Sequence, residues 1–200
     1  MAQSTVEHTE TAVPTHANPA PLGLCGFALT TFVLSAFNAG LFSNAQIVIG
    51  LAIFYGGLGQ LLAGMWEFRS GNTFGAMAFS SYGCFWLATG WALQHNQLLN
   101  DGFGYFLAGW AFFTFIGLLG TLRTNLALIS VFSFLTLTFI VLAISAFAGT
   151  HSWLHISGHT WLHIGGWLGI ITALLAWYTA TAGMLNSAKS AFTLPTFPVS

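Results

Sequence analysis

Four histidines recur at every fourth residue near the C-terminal end of the chain: His151, His155, His159 and His163. On a helix this spacing stacks imidazoles one turn apart, and a pair at i and i+4 can share zinc or copper. Haem ligation is the other chemistry that such a ladder invites. Three features weigh against both. His151-Ser152-Trp153-Leu154-His155-Ile156-Ser157-Gly158 runs directly into His159-Thr160-Trp161-Leu162-His163-Ile164-Gly165-Gly166, identical at six of eight positions, so a tandem duplication produces the ladder without any site. Gly158 interrupts a helix. Bis-histidine haem in a bundle draws its ligands from facing helices, whereas these share one segment. With Trp153 and Trp161 interleaved, the stretch reads as an interfacial cap at headgroup level, and metal ligation by His151, His155 and His159 is the competing reading. No cofactor is expected.

The second chemically suggestive run is Asn18-Pro19-Ala20-Pro21-Leu22-Gly23-Leu24. Proline disfavours helix in the residue before it and suits a first helical turn, so the pair fixes where a helix begins, with Asn18 placed to cap it. Beyond Pro21, the amides of Leu22, Gly23 and Leu24 are expected to be the unsatisfied donors of a helix start, carrying about half a positive charge. That is an anion site, and the competing reading is a helix-starting signal and nothing more. Titratable side chains are few. Glu67 and His163 are the candidates for a proton-linked step, although Glu67, two residues from Arg69, reads better as an anchor at the membrane surface.

The elements that must position these residues follow from composition. Among 200 residues there are three basic and four acidic side chains, 56% of the chain is hydrophobic and 16% is aromatic. Soluble domains are about a quarter charged, so this surface meets lipid. Apolar runs at about 22–42, 46–69, 72–94, 103–122, 126–148 and 161–186 are each long enough to cross a bilayer. The expected fold is therefore an all-α integral membrane protein, six transmembrane helices in one bundle over 18–188, with a disordered tail at 1–17 and a C-terminal tail at 189–200. Arg69, Arg123 and Lys189 all fall on the side of the N-terminus, which puts both termini in the cytoplasm and the protein in the plasma or inner membrane. The first residues contain Glu7 and Glu10 but no Lys or Arg, unlike a secretory signal peptide. Cys25 and Cys84 lie in apolar runs and read as packing residues. A net charge near zero without a basic cluster gives no support for nucleic-acid binding.

The heptapeptide does not stand alone. Phe27 follows it, then Phe54-Tyr55-Gly56-Gly57, Gly71-Asn72-Thr73-Phe74-Gly75, Ser81-Tyr82-Gly83, Gly120-Thr121-Leu122 and Gly166-Trp167. In this ordered series, through essentially the whole membrane region, the chain resembles the acetate/succinate permease family. The resemblance implies a six-span protomer assembled as a homohexamer, with a path in each protomer for acetate and related short carboxylates such as succinate, and no enzymatic activity. It also implies a hydrophobic gate of a Phe, a Tyr and a Leu, which fall on Phe27, Tyr82 and Leu135, with Gln60 and Ala176 at pore-lining positions. His163 matches the family's histidine, which makes the first octapeptide an insertion. An apolar constriction raises the cost of a hydrated ion while letting a small acid with a methyl group pass. Channel and proton symporter both remain open, as does a structural or signalling protein that keeps the fold without transport.

Overall fold

The computed structural model describes residues 16–99, 101–150, 157–188 and 190–199. Six long helices run back and forth: α1 (Ala20–Asn38), α2 (Gln46–Arg69), α3 (Thr73–Gln94), α4 (Asp101–Thr121), α5 (Leu126–Thr150) and α6 (Gly158–Ser187). All but α3 are long and apolar enough to cross a membrane by that measure alone. With 22 residues α3 has the length, but it carries Ser80, Ser81, Tyr82 and Thr89, and its buried positions show that it packs inward. The chain is a multi-pass membrane protein.

Helix starts differ from expectation in one instructive way. The first helix begins at Ala20, not Leu22, because Pro19 takes the cap position and Pro21 enters the first turn, where a missing N–H costs nothing. The last helix begins at Gly158 with Ser157 as its cap, its hydroxyl accepting from the Thr160 amide, so Gly158, the last residue of the duplication's first copy, is a helix start.

Around the bundle α4 packs on α5, α5 on α6, α6 on α1, α1 on α2 and α2 on α3. Small residues allow the close crossings. A Cβ on Gly26 would meet the Tyr55 carbonyl oxygen at 2.6 Å, and one on Gly83 would meet the Leu61 backbone nitrogen at 2.8 Å, so α1–α2 and α2–α3 touch backbone to backbone. The ring closes between α3 and α4 by side chains instead: Tyr82 and Phe85 reach Trp110, with ring centroids 5.7 and 5.0 Å apart, and Tyr82 reaches Phe113 at 5.5 Å.

Within α2, residues Leu51–Gly59 wind as a π-helix, ended by the Gln60 amide donating back to the Tyr55 and Gly57 carbonyls. Such winding changes the angular phase of the helix and is often found at functional sites. Here it accompanies a sharp contrast: Phe54, Leu58 and Leu62 face outward, whereas Gln60 is 1% exposed.

The C-terminal residues fold back onto the α4–α5 turn. Leu126 and Ala127 amides donate to the Phe197 and Thr196 carbonyls, and the Val199 amide donates to Thr124. Asn186 holds Leu194 from both sides, accepting from its amide and donating to its carbonyl at 3.0 Å each. The Tyr178 hydroxyl donates to the Pro195 carbonyl. Residues 190–199 thus form a strap across the end of the bundle where α1, α3 and α5 begin.

Candidate functional site

Three helices that start at one end of the bundle each do so behind an asparagine. Asn18 Oδ1 accepts from the Ala20 amide at 3.0 Å, Asn72 Oδ1 from Gly75 at 3.1 Å, and Asn125 Oδ1 from Leu128 at 2.9 Å. With each carbonyl oxygen engaged, Asn125 has its NH₂ group left to offer and Asn72 has the one N–H that it does not give to Glu67. Between these helix starts lies a cavity of about 230 Å³, lined near its mouth by Pro21, Asn72, Gly75, Asn125 and Thr196, and deeper by Leu24, Gln60, Phe132 and Thr179. Its floor is Phe27, Tyr82 and Leu135. Among the described residues that line it, none is charged.

The floor is held stiffly. Tyr82 packs against Phe27 with ring centroids 5.8 Å apart, and Leu135 joins them in one buried cluster. The Tyr82 hydroxyl lies 2.8 Å from Thr114 Oγ1, and Thr114 gives its own hydrogen to the Trp110 carbonyl at 2.7 Å, so Tyr82 is the donor of the pair. Fully buried Ala176 belongs to the same cluster but not to the cavity wall.

One helical turn beyond each of these residues, away from the cavity, comes a polar one. Thr31 follows Phe27, Trp86 follows Tyr82, Thr138 follows Leu135, and Thr172 precedes Ala176 on the antiparallel α6. Thr138 and Thr172 hydroxyls lie 3.3 Å apart, while Thr31 Oγ1, Trp86 Nε1 and, a turn further, Thr89 Oγ1 are buried with no partner among the described residues. Buried orphan polar atoms call for water or a solute. At the opposite end of the bundle a wider recess of about 590 Å³ is lined by Asn44, Gln46, Gln94 and Asn96.

The heptapeptide serves this site differently from the sequence reading. The Gly23 amide donates to the Pro19 carbonyl, Gly23 and Leu24 are buried, and Ala20 rather than a later residue takes the Asn18 side chain. Of the three amides expected to be free, only that of Leu22 is still in the first turn, and Leu22 is exposed. Pro21 and Leu24 reach the cavity; Asn18, Pro19, Leu22 and Gly23 do not line it.

Glu67 also departs from expectation. Arg69 is exposed, but Glu67 is 1% exposed and turned inward, where Oε2 accepts from Asn72 Nδ2 at 2.8 Å and Oε1 has no partner among the described residues. A Cβ on Gly75 would sit 2.7 Å from the Glu67 carboxyl carbon, so the carboxyl lies directly behind the cavity wall. His163 is at the other end of the bundle, its ring against Gly40 and 4.2 Å from the His159 ring. His151 and His155 lie outside the described residues, and among those described no three His, Cys, Asp or Glu side chains come together to hold a metal.

The profile described as the GPR1/FUN34/yaaH family matches residues 2–200. This chain belongs to the GPR1/FUN34/yaaH family. Among its relatives, the succinate-acetate/proton symporter SatP of Escherichia coli (strain K12) is 40% identical over 185 residues, covering 90% of this chain and 94% of that protein. Acetate permease A of Emericella nidulans is 44% identical over 196 residues, 90% of this chain; the chain spans 65% of that protein's length. A solved structure described as the bacterial acetate channel SatP superimposes with a TM-score of 0.82 at 38% identity, covering 90% of this chain and 99% of that one. The fold and family expected from the ordered motifs are therefore those of the GPR1/FUN34/yaaH proteins.

Asn72 and Asn125 were missed as site residues, although an asparagine just ahead of an apolar run is a readable helix-cap signal. Thr179 and Thr196 had no such signal. Their positions follow from α6 and from the strap.

Proposed function

We propose that this protein is a membrane permease for acetate and related short carboxylates such as succinate, with one path per protomer. The carrying observation is the uncharged cavity between three helix starts, each led by an asparagine, that ends on Phe27, Tyr82 and Leu135. Converging N-terminal dipoles and asparagine NH₂ groups attract a carboxylate without binding it as tightly as a lysine or arginine would. The apolar floor then excludes hydrated ions, and the polar turn beyond it receives whatever passes. The names of the relatives support the same reading.

Pathway, hexameric assembly and orientation with both termini in the cytoplasm form one proposal, in the cell's plasma or inner membrane. Its substrate is transported and not chemically altered. Glu67 lies beside the vestibule and His163 far from it, so of the two proton-linked candidates Glu67 is the closer to the path. Purified protein in liposomes is expected to take up labelled acetate faster than empty liposomes. Equal uptake would refute the proposal.

A further inference from the structure

The strap supplies part of the vestibule wall. Thr196 lines the cavity mouth together with Asn125, and Asn125 in turn faces Pro198 in an antiparallel bridge. The same stretch sits on the start of α5, where the Phe197 and Thr196 carbonyls accept from the Leu126 and Ala127 amides at 2.9 and 3.3 Å. Those amides belong to the first turn of α5. With the strap seated, the positive end of that helix is therefore met by carbonyl oxygens of the chain itself and lends less to the vestibule.

What fastens the strap is polar. Asn186 holds Leu194 twice, the Tyr178 hydroxyl donates to the Pro195 carbonyl, and the Val199 amide donates to the Thr124 carbonyl at 3.0 Å. Its two largest side chains, Phe192 and Phe197, are 63% and 55% exposed, so burial adds little. Phe197 also holds a φ of 56°, in the left-handed region that bulky side chains rarely enter, and lifting the strap would relieve it. Hydrogen bonds at an exposed site exchange for bonds to water at small net cost, which places this segment at the low end of local stability.

Resting on the permease reading above, we propose that residues 190–199 are an autoinhibitory lid. Seated, the lid narrows the vestibule and caps the start of α5; lifted, it widens the mouth and uncovers that start. It stands in series with the floor of Phe27, Tyr82 and Leu135 and acts most on the bulkier acid.

The bridge itself offers the test. Its flanking bonds run from Leu126 to Phe197 and from Val199 to Thr124, so Asn125 and Pro198 are a non-hydrogen-bonded pair. Such pairs bring Cα atoms to about 4.5 Å, within reach of a disulfide. Asn125→Cys with Pro198→Cys is expected to cross-link on oxidation, seen as a shift on a non-reducing gel, and to lock the lid down. Labelled succinate uptake into liposomes is then expected to be at least about tenfold lower in the oxidised form than in the same protein reduced, with acetate less affected, because a lock removes the minor lifted population. Wild-type protein, which carries Cys25 and Cys84 in every sample, receives the same treatment as the control. Asn186→Ala with Tyr178→Phe leaves Asn125 in place, cuts the fastenings to Leu194 and Pro195, and is expected to raise succinate uptake about tenfold. A pair that does not cross-link, equal succinate uptake by the oxidised and reduced forms, or an unfastened variant no faster than wild type would overturn the lid and leave the permease reading intact. No acetate uptake by wild-type protein above empty liposomes would overturn the permease reading and this inference with it.

Discussion

Replacing Phe27 by alanine removes one wall of the cavity floor, and the structure sets the size of both consequences. The side chain is 3% exposed and its ring centroid lies 5.8 Å from that of Tyr82. In a sealed core such a truncation costs about 3–5 kcal/mol. Here the new void opens into a cavity of about 230 Å³ that water can fill, and helices in lipid are held by packing without a hydrophobic term of their own. The expected loss is therefore about 2–3 kcal/mol, or roughly 5–10 °C in Tm for a domain of this size. The functional effect is on size selection. A single methylene against a tight wall discriminates by about tenfold or more, so Phe27→Ala is expected to raise succinate uptake relative to acetate by at least about tenfold. Paired liposome uptake of the two labelled acids, beside a thermal melt in detergent, measures both. A folded Phe27→Ala protein that transports acetate with an unchanged succinate-to-acetate ratio would refute the assignment of Phe27 to the constriction.

Further outcomes follow from other contacts. Gly26→Ala drives a methyl into the Tyr55 carbonyl and is expected to destabilise by about 1–3 kcal/mol, while Gly50→Ala, with nothing within 4 Å, is expected to be neutral or to stabilise by up to about 1 kcal/mol; thermal melts compare the two. Glu67→Gln keeps an acceptor for Asn72 and is expected to leave acetate uptake and its pH profile as they are in the wild-type protein, measured in the same liposome assay. A profile flattened by that change would make Glu67 the proton carrier. Asn186→Ala removes both bonds to Leu194 and is expected to speed limited proteolysis of the strap about tenfold with little change in Tm. Joint replacement of His151, His155 and His159, or addition of a chelator, is expected to leave acetate uptake unchanged in the same assay.

Sequence carried the helices well because a membrane span is a one-dimensional signal of length and hydropathy. It failed where three-dimensional partners decide. The first helix was expected from about residue 22 and begins at Ala20, because proline statistics do not say which of two prolines enters the first turn. Glu67 was read as an anchor at the membrane surface, but the turn at Gly71 brings Asn72 back under α2 and captures the carboxyl. The π-helical stretch of α2 has the same apolar composition as an α-helix, so nothing in Leu51–Gly59 announced it. Gln60 could be singled out only by resemblance, since one amide in an apolar run is silent about the face it takes. The strap was read as a tail because the partners of Thr196 and Phe197 lie some seventy residues earlier in the chain, on the α4–α5 turn. The histidine ladder shows the opposite failure, a strong pattern whose described half, His159 and His163, sits far from the cavity.

The seam between α3 and α4 bears on speed. The α1–α2 and α2–α3 crossings close backbone to backbone, and opening them would mean moving whole helices, a microsecond-to-millisecond event. Along this seam the wall is made of Tyr82, Phe85, Trp110 and Phe113. The half-buried rings of Trp110 and Phe113 can swing without the helices parting, and side-chain rotamer changes run faster than helix rocking. A door built of side chains can also be resized one residue at a time in the course of evolution, which gives relatives of this fold a short mutational route to acids of different bulk.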